Sequence, residues 1–138
     1  SRGCIILYKQ SKVDIIRKIS DEGGRYCGII AIIKDKPTLI MNVYAPNNTI
    51  ENRKFFSTIR NNLQDLQEEI TGLDIIVGGD FNCVEDDDLD RDTTADRSQG
   101  TSGGTRDIFT QIREITDITD CYRFLKPTTD PPCYLTFE

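Results

Sequence analysis

The sequence contains no histidine, and that absence excludes more chemistry than any residue present. Without an imidazole the chain can hold no Ser-His-Asp triad, no Cys-His pair and no histidine-bound zinc. Any reaction must rest on carboxylates, amides, hydroxyls or an oxygen-ligated metal. Tryptophan is also missing, and methionine occurs once. No apolar run comes near the roughly 18 to 20 residues a membrane span needs. The longest, residues 29–33, is of strand length, and no charged-then-apolar leader opens the chain. No membrane partner is expected.

Cysteine is present but organised for nothing obvious. Cys4, Cys27, Cys83, Cys121 and Cys133 show neither metal-ligand nor redox spacing, and an odd count fits a disulfide framework poorly. The expectation is buried, reduced thiols and an intracellular location, nuclear or cytoplasmic. Cys83 lies beside the strongest motif described below, yet nothing near it in sequence would activate a thiolate.

The 138 residues suit one domain with a modest core. The net charge of −6 is unevenly spread: residues 1–70 carry +3 and residues 71–138 carry −9. Much of the acidic excess lies in residues 85–92 (EDDDLDRD), which read as a solvated loop. Taken alone, this balance argues mildly against a nucleic-acid partner.

Residues 3–8 form a short apolar run of strand length, and residues 13–19 a plausible second strand. The β-branched run YCGIIAIIK (26–34) and TLIMNVY (38–44), separated by a turn-like segment ending in Pro37, predict a hairpin. Asn48 or Thr49 then caps a helix over residues 51–70. Its apolar positions Phe55, Ile59, Leu63, Leu66 and Ile70 lie on one face, and Gly72 ends it. A strand is expected at 73–77, a loop at 83–104, helices at 105–116 and 117–124, and a closing strand from Cys133. The order predicts an α/β fold with helices covering sheet faces.

Two segments could carry chemistry. In IIVGGDFN (75–82) an apolar strand delivers two glycines, then Asp80 and Asn82 two residues apart. If the backbone stays extended, both side chains point to one side. A carboxylate there can take a proton from water, and an amide can steady a developing oxyanion. The structural alternative is an Asx turn at a strand end. In NVYAPN (42–47), Tyr44 offers a phenol and Pro46 stiffens the loop, although aromatic packing and a Pro-Asn turn explain the same residues. The Gly-rich stretch 100–104 lacks the strand and lysine of a phosphate loop.

Together, VYAPN (43–47), a helix, and GGDFNCV (78–84) resemble the endonuclease/exonuclease/phosphatase superfamily. Within it, the likeness is to the endonuclease domain of LINE-type (non-LTR) retrotransposons. The glycine-led run at 3–7, Leu89-Asp90-Arg91, Asp120-Cys121-Tyr122-Arg123, Pro127 and Tyr134-Leu135-Thr136-Phe137 follow in the order of that branch. The resemblance implies a four-layer α/β/β/α sandwich and phosphodiester cleavage with Mg²⁺, or Mn²⁺ in its place, on a DNA substrate. It further implies a reverse transcriptase region in the same parent polyprotein.

By the same resemblance, Asp80 aligns or deprotonates the attacking water, while Asn82 and Tyr44 hold the phosphate. Asn47, Arg91 and Thr136 contact substrate or line the cleft. The family's metal-binding glutamate and its essential late histidine have no counterpart in this sequence, so no complete metal set is expected; Asp80 or Asn82 would act on a metal only indirectly. The expectation is a single incomplete domain over 1–138, short of its first and last strands and inactive unaided. Other phosphoester hydrolases of the same fold stand as alternatives: an abasic-site nuclease, a deadenylase, or an inositol or sphingomyelin phosphatase. A non-catalytic relic is a further one.

Overall fold

A computed structural model of the chain describes residues 3–82 and 104–125. After a single 3₁₀ turn at Gln10–Lys12, three strands follow: β1 (Asp14–Ser20), β2 (Tyr26–Ile33) and β3 (Lys36–Tyr44). Helix α1 (Thr49–Glu69) leads to β4 (Asp74–Asp80), and α2 (Gly104–Thr116) and the short α3 (Cys121–Leu125) come later. The sheet order is β1-β2-β3-β4. Strands β1, β2 and β3 run antiparallel in turn, whereas β4 lies parallel to β3. A parallel neighbour needs a crossover, and α1 supplies it.

Local chemistry accounts for most of these boundaries. The β2–β3 hairpin closes on Lys34 and Asp35, both at positive φ (49° and 65°). That is the backbone of a two-residue turn whose twist matches the strands. Pro37, expected in the turn, instead lies near the start of β3 opposite Ile32, a position where proline is tolerated. Asn48 caps α1: its Oδ1 accepts from the amides of Ile50 (3.0 Å) and Glu51 (3.1 Å). Glu51 in the first turn complements the helix dipole. Beyond the helix, Gly72 adopts φ +73°, a conformation glycine reaches without steric cost.

The core lies between the sheet and α1. Ile30, Leu39, Met41 and Val43 meet Phe56, Ile59, Leu63 and Leu66, with Ile112 of α2 joining the same cluster. The buried stripe of α1 is Asn52, Phe56, Ile59, Leu63 and Leu66, so it is rotated from the predicted face. Phe56 is fully enclosed, while Phe55 and Ile70 pack at the margin. Burying a side chain such as Phe56 stabilises the fold by about 1.5–3 kcal/mol. Thr116 ends α2 by donating its hydroxyl to the Ile112 carbonyl (2.6 Å).

On the opposite face, Ile76 is 55% exposed. Residues 3–9 join no strand ladder among the described residues, although a strand was expected at 3–8. Side-chain contacts tie the segment down instead. Asn42 Nδ2 donates to the Ile5 carbonyl (3.1 Å), and the Cys4 thiol to the Arg25 carbonyl (3.3 Å). The Lys18 ammonium lies 5.7 Å from the Tyr8 ring centre.

The described thiols are free but not fully buried: Cys4 and Cys27 are half-buried and Cys121 is exposed. Burial first, then nearby charge, pushes the Cys4 and Cys27 thiols above their ordinary pKa. Strand β4 runs on to Asp80 rather than stopping at residue 77, and α2 and α3 lie close to their expected places. The expected loop at 83–104 up to residue 103, the closing strand from Cys133, and the candidate residues Arg91 and Thr136 lie outside the described residues.

Candidate functional site

The parallel pairing of β3 and β4 brings the two motif segments to one end of the sheet. In that register Val43 lies opposite Gly79, and Tyr44 opposite Asp80. Both strands end there, so residues 44–47 and 80–82 leave the sheet side by side. Open α/β sheets bind ligands at the carboxyl ends of such strands, where the backbone turns away and side chains project clear of the core. The Ala45 amide donates to the Asp80 carbonyl (2.8 Å), which extends the pairing one step past the strands.

Gly79 makes the approach feasible. It adopts φ +132°, and a Cβ there would overlap the Val43 carbonyl oxygen and come within 2.7 Å of Asn42 Oδ1 and the Val43 nitrogen. A Cβ on Gly78 would meet nothing within 4 Å. Of the two glycines, only the second is required by packing, and what approaches it is the neighbouring strand.

The chain does not stay extended through residue 82. Asn82 has φ +47°, and its amide donates to Asp80 Oδ1 (3.0 Å). This is an Asx turn, the structural alternative read from the sequence, and it cancels the simple alternation that would point Asp80 and Asn82 the same way. The Asn82 side chain turns toward the neighbouring loop, where Nδ2 donates to the Ala45 carbonyl (2.7 Å). One Nδ2 hydrogen is thus committed to joining the loops, and the second stays available to a ligand.

Two residues not singled out by the sequence complete the arrangement. Asn52, in the first turns of α1, is 2% exposed. Its Nδ2 donates to the Pro46 carbonyl (2.9 Å) and to the Phe81 carbonyl (3.0 Å), one on each loop. Those two carbonyls fix the amide's orientation, since a flipped side chain would set oxygen against oxygen. Among the described residues Asn52 Oδ1 accepts no hydrogen bond. Phe81 anchors the second loop by stacking on Phe56, with ring centres 6.0 Å apart.

The other is Arg25, just before β2. Its carbonyl accepts from the Tyr44 amide (2.7 Å), and its guanidinium carbon lies 5.7 Å from the Tyr44 ring centre. A sequence signal for Asn52 exists: it sits four residues before Phe56 and continues the buried stripe toward the loops. Arg25 has no such signal, because only the strand register brings it to Tyr44.

Asp80 is therefore exposed at the end of β4, Tyr44 half-buried beside it, Asn82 half-buried in the turn, and Asn47 exposed on the loop before the helix cap. Among the described residues no three Asp, Glu or Cys side chains come together to hold a metal ion. Mg²⁺ takes about six oxygens, several of them from water and one or two from carboxylates, and residues 44–47 and 80–82 bring one exposed carboxylate, Asp80, to this end of the sheet. No protein-family model matches the chain, and no curated protein matches it. No described helix is long and apolar enough to cross a membrane.

Proposed function

We propose that this chain carries the catalytic loops of a phosphodiesterase, and specifically of a DNA-nicking endonuclease of the LINE-type retrotransposon branch. The observation that carries this reading is the juxtaposition of VYAPN and GGDFN at the ends of adjacent parallel strands, with Tyr44 and Asp80 as register partners. The exposed Asp80 carboxylate is the group to orient or deprotonate a water. The Tyr44 phenol and the remaining Asn82 Nδ2 hydrogen are donors for phosphoryl oxygens. Positioning and charge stabilisation carry most of the rate in phosphoryl transfer, which suits loops tied by Asn52 and Asn82.

In this reading the sheet is one half of an α/β/β/α sandwich, and a second sheet lies against the Ile76 face. Mg²⁺ or Mn²⁺ would be the cofactor and would supply charge stabilisation to the phosphoryl group, with Asp80 or Asn82 acting on it only indirectly. DNA is the substrate, and a reverse transcriptase region shares the parent polyprotein. Arg91 and Thr136, with Asn47, contact the substrate.

The test is nicking of supercoiled plasmid by the protein expressed from its full reading frame, beside its Asp80→Ala and Asp80→Asn variants. Nicking that stops on chelation and falls at least about a hundredfold in both variants supports the reading, a loss on the scale of a general base. Activity on abasic DNA, poly(A) or small phosphoesters in place of intact plasmid would assign another hydrolase of the same fold. No activity on any of them would leave a binding relic.

A further inference from the structure

Arg25, Tyr44 and Asp80 form one row across the end of the sheet. Tyr26 is the register partner of Val43 in the antiparallel β2–β3 pair, and the bond from the Tyr44 amide to the Arg25 carbonyl carries the pairing one residue further. The parallel β3–β4 register then sets Asp80 beside Tyr44. Three side chains of different chemistry are thereby lined up: a guanidinium, a phenol and a carboxylate.

In a chain of net charge −6, Arg17, Lys36 and Arg60 face polar or acidic partners, while Lys18, like Arg25, lies against an aromatic ring. Arg17 forks onto Glu69 at 2.5 and 2.8 Å. Lys36 lies 3.8 Å from Asp74, and Arg60 bonds Gln111 and Asn61. Among the described residues no carboxylate comes within 4.0 Å of Arg25. The nearby Asp21 directs its Oδ1 to the Tyr26 amide (2.8 Å). Arg25 is instead half-buried against Tyr44, where the ring face favours the cation and occupies none of its N–H donors. Among the described residues the Tyr44 hydroxyl makes no hydrogen bond either. Two adjacent donors without acceptors, next to a carboxylate poised toward water, form a receptor for an oxyanion with several oxygens.

We propose that Arg25 is a substrate-binding residue that grips a backbone phosphate of DNA, held over the site by its contact with Tyr44. This rests on the phosphodiesterase reading and adds to it a residue outside both motifs. A planar fork suits a phosphate's paired oxygens better than a point charge does. The contact reads no bases, so its signature is electrostatic.

The experiment measures binding of a fluorescent duplex by the protein expressed from its full reading frame, across about 50 to 200 mM salt. Wild type is compared with Arg25→Ala and Arg25→Lys, with plasmid nicking by the wild type run in parallel. The expected result is several-fold weaker binding by Arg25→Ala on every duplex sequence, and a log K against log salt slope shallower by about one. Arg25→Lys keeps the wild-type slope and recovers part of the affinity. A purely structural role for the ring contact would lower the melting temperature and leave the slope alone.

An unchanged slope in Arg25→Ala overturns the proposal, and if the wild type still nicks, the function reading survives that failure. A slope that depends on Arg25 in a protein that does not nick keeps the phosphate contact and removes the hydrolase. Should the alanine variant fail to fold, Arg25→Gln, which keeps a long polar stem over the ring but no charge, decides: a shallower slope supports the proposal, and a wild-type slope overturns it. No DNA binding by the wild type overturns both.

Discussion

Replacing Asn52 tests whether the two loops are held by one side chain. Asn52→Leu keeps the branching of the side chain, though its methyl groups are bulkier than the amide, and removes both donors, stranding the Pro46 and Phe81 carbonyls that now accept at 2.9 and 3.0 Å. Each lost bond is worth about 0.5–1.5 kcal/mol net, and leaving a buried acceptor unmade raises the cost toward about 1–3 kcal/mol. The substitution also removes the unpartnered Oδ1, whose burial already costs on the order of 1 kcal/mol. The balance is a loss of roughly 2 kcal/mol, or a melting temperature lower by about 6–8 °C for a domain of this size.

Hydrogen exchange locates the effect. The Ala45 and Asn82 amides, which bond to the Asp80 carbonyl and carboxylate, exchange faster, while the amides in the middle of β2 and β3 keep their relative protection. Asn52→Asp adds a pH signature. A carboxylate facing two carbonyl oxygens is favoured only when protonated, so its folded pKa lies above its unfolded value. Stability is then closest to wild type below the unfolded pKa, near pH 4, and falls as pH rises through the folded value. A change below about 0.5 kcal/mol in Asn52→Leu, or uniform acceleration of exchange across the sheet, would refute the reasoning.

The two glycines of the motif separate cleanly: Gly79→Ala lowers the melting temperature sharply or prevents folding, while Gly78→Ala changes stability by less than about 1 kcal/mol. Replacing Lys34-Asp35 by Asn-Gly relieves two positive-φ residues and raises stability by roughly 1 kcal/mol, read by chemical denaturation. Among the described thiols, Cys121 reacts with a thiol reagent before Cys4 and Cys27 at neutral pH, because burial holds the latter two protonated; mass spectrometry of the modified peptides gives the order. The Arg17 hydrogen bond holds the Glu69 carboxyl below its ordinary pKa. The small stabilisation from that exposed pair is present above the unfolded pKa and fades as pH falls through the folded one, so Glu69→Gln is nearer wild type in stability at acid pH than at neutral pH.

The elements were legible where a regular period governs them. Apolar spacing gave α1 to within two residues, and the β-branched runs gave both arms of the hairpin. Ile59, Leu63 and Leu66 of the expected face are buried, and Phe55 and Ile70 pack beside them. Phe56, however, is enclosed in place of Phe55, and polar Asn52 continues the stripe where it meets the loops and serves their carbonyls. Strand β4 was read short because glycines at 78 and 79 look like a turn, whereas Gly79 is needed for close strand pairing. Residue type and strand-end position singled out Asp80 and Tyr44, and the β3–β4 register sets them side by side. For Asn82 the sequence offered the Asx turn only as an alternative to an extended backbone, since a single left-handed residue leaves no periodic trace. Arg25 was invisible for another reason: its place beside Tyr44 exists only once β2 and β3 are in register.

The row of Arg25, Tyr44 and Asp80 has a consequence for how the protein comes to be folded. The hairpin sets Arg25 against Tyr44 through contacts close in sequence, which form early and at small entropic cost. Asp80 joins them only when α1 has docked and β4 has zipped onto β3, after a much longer loop has closed. A chain caught between these steps would hold the cation and the phenol together and still lack the carboxylate. If the proposed roles hold, anion binding would arise before water activation, and refolding followed by both signals would separate the two in time.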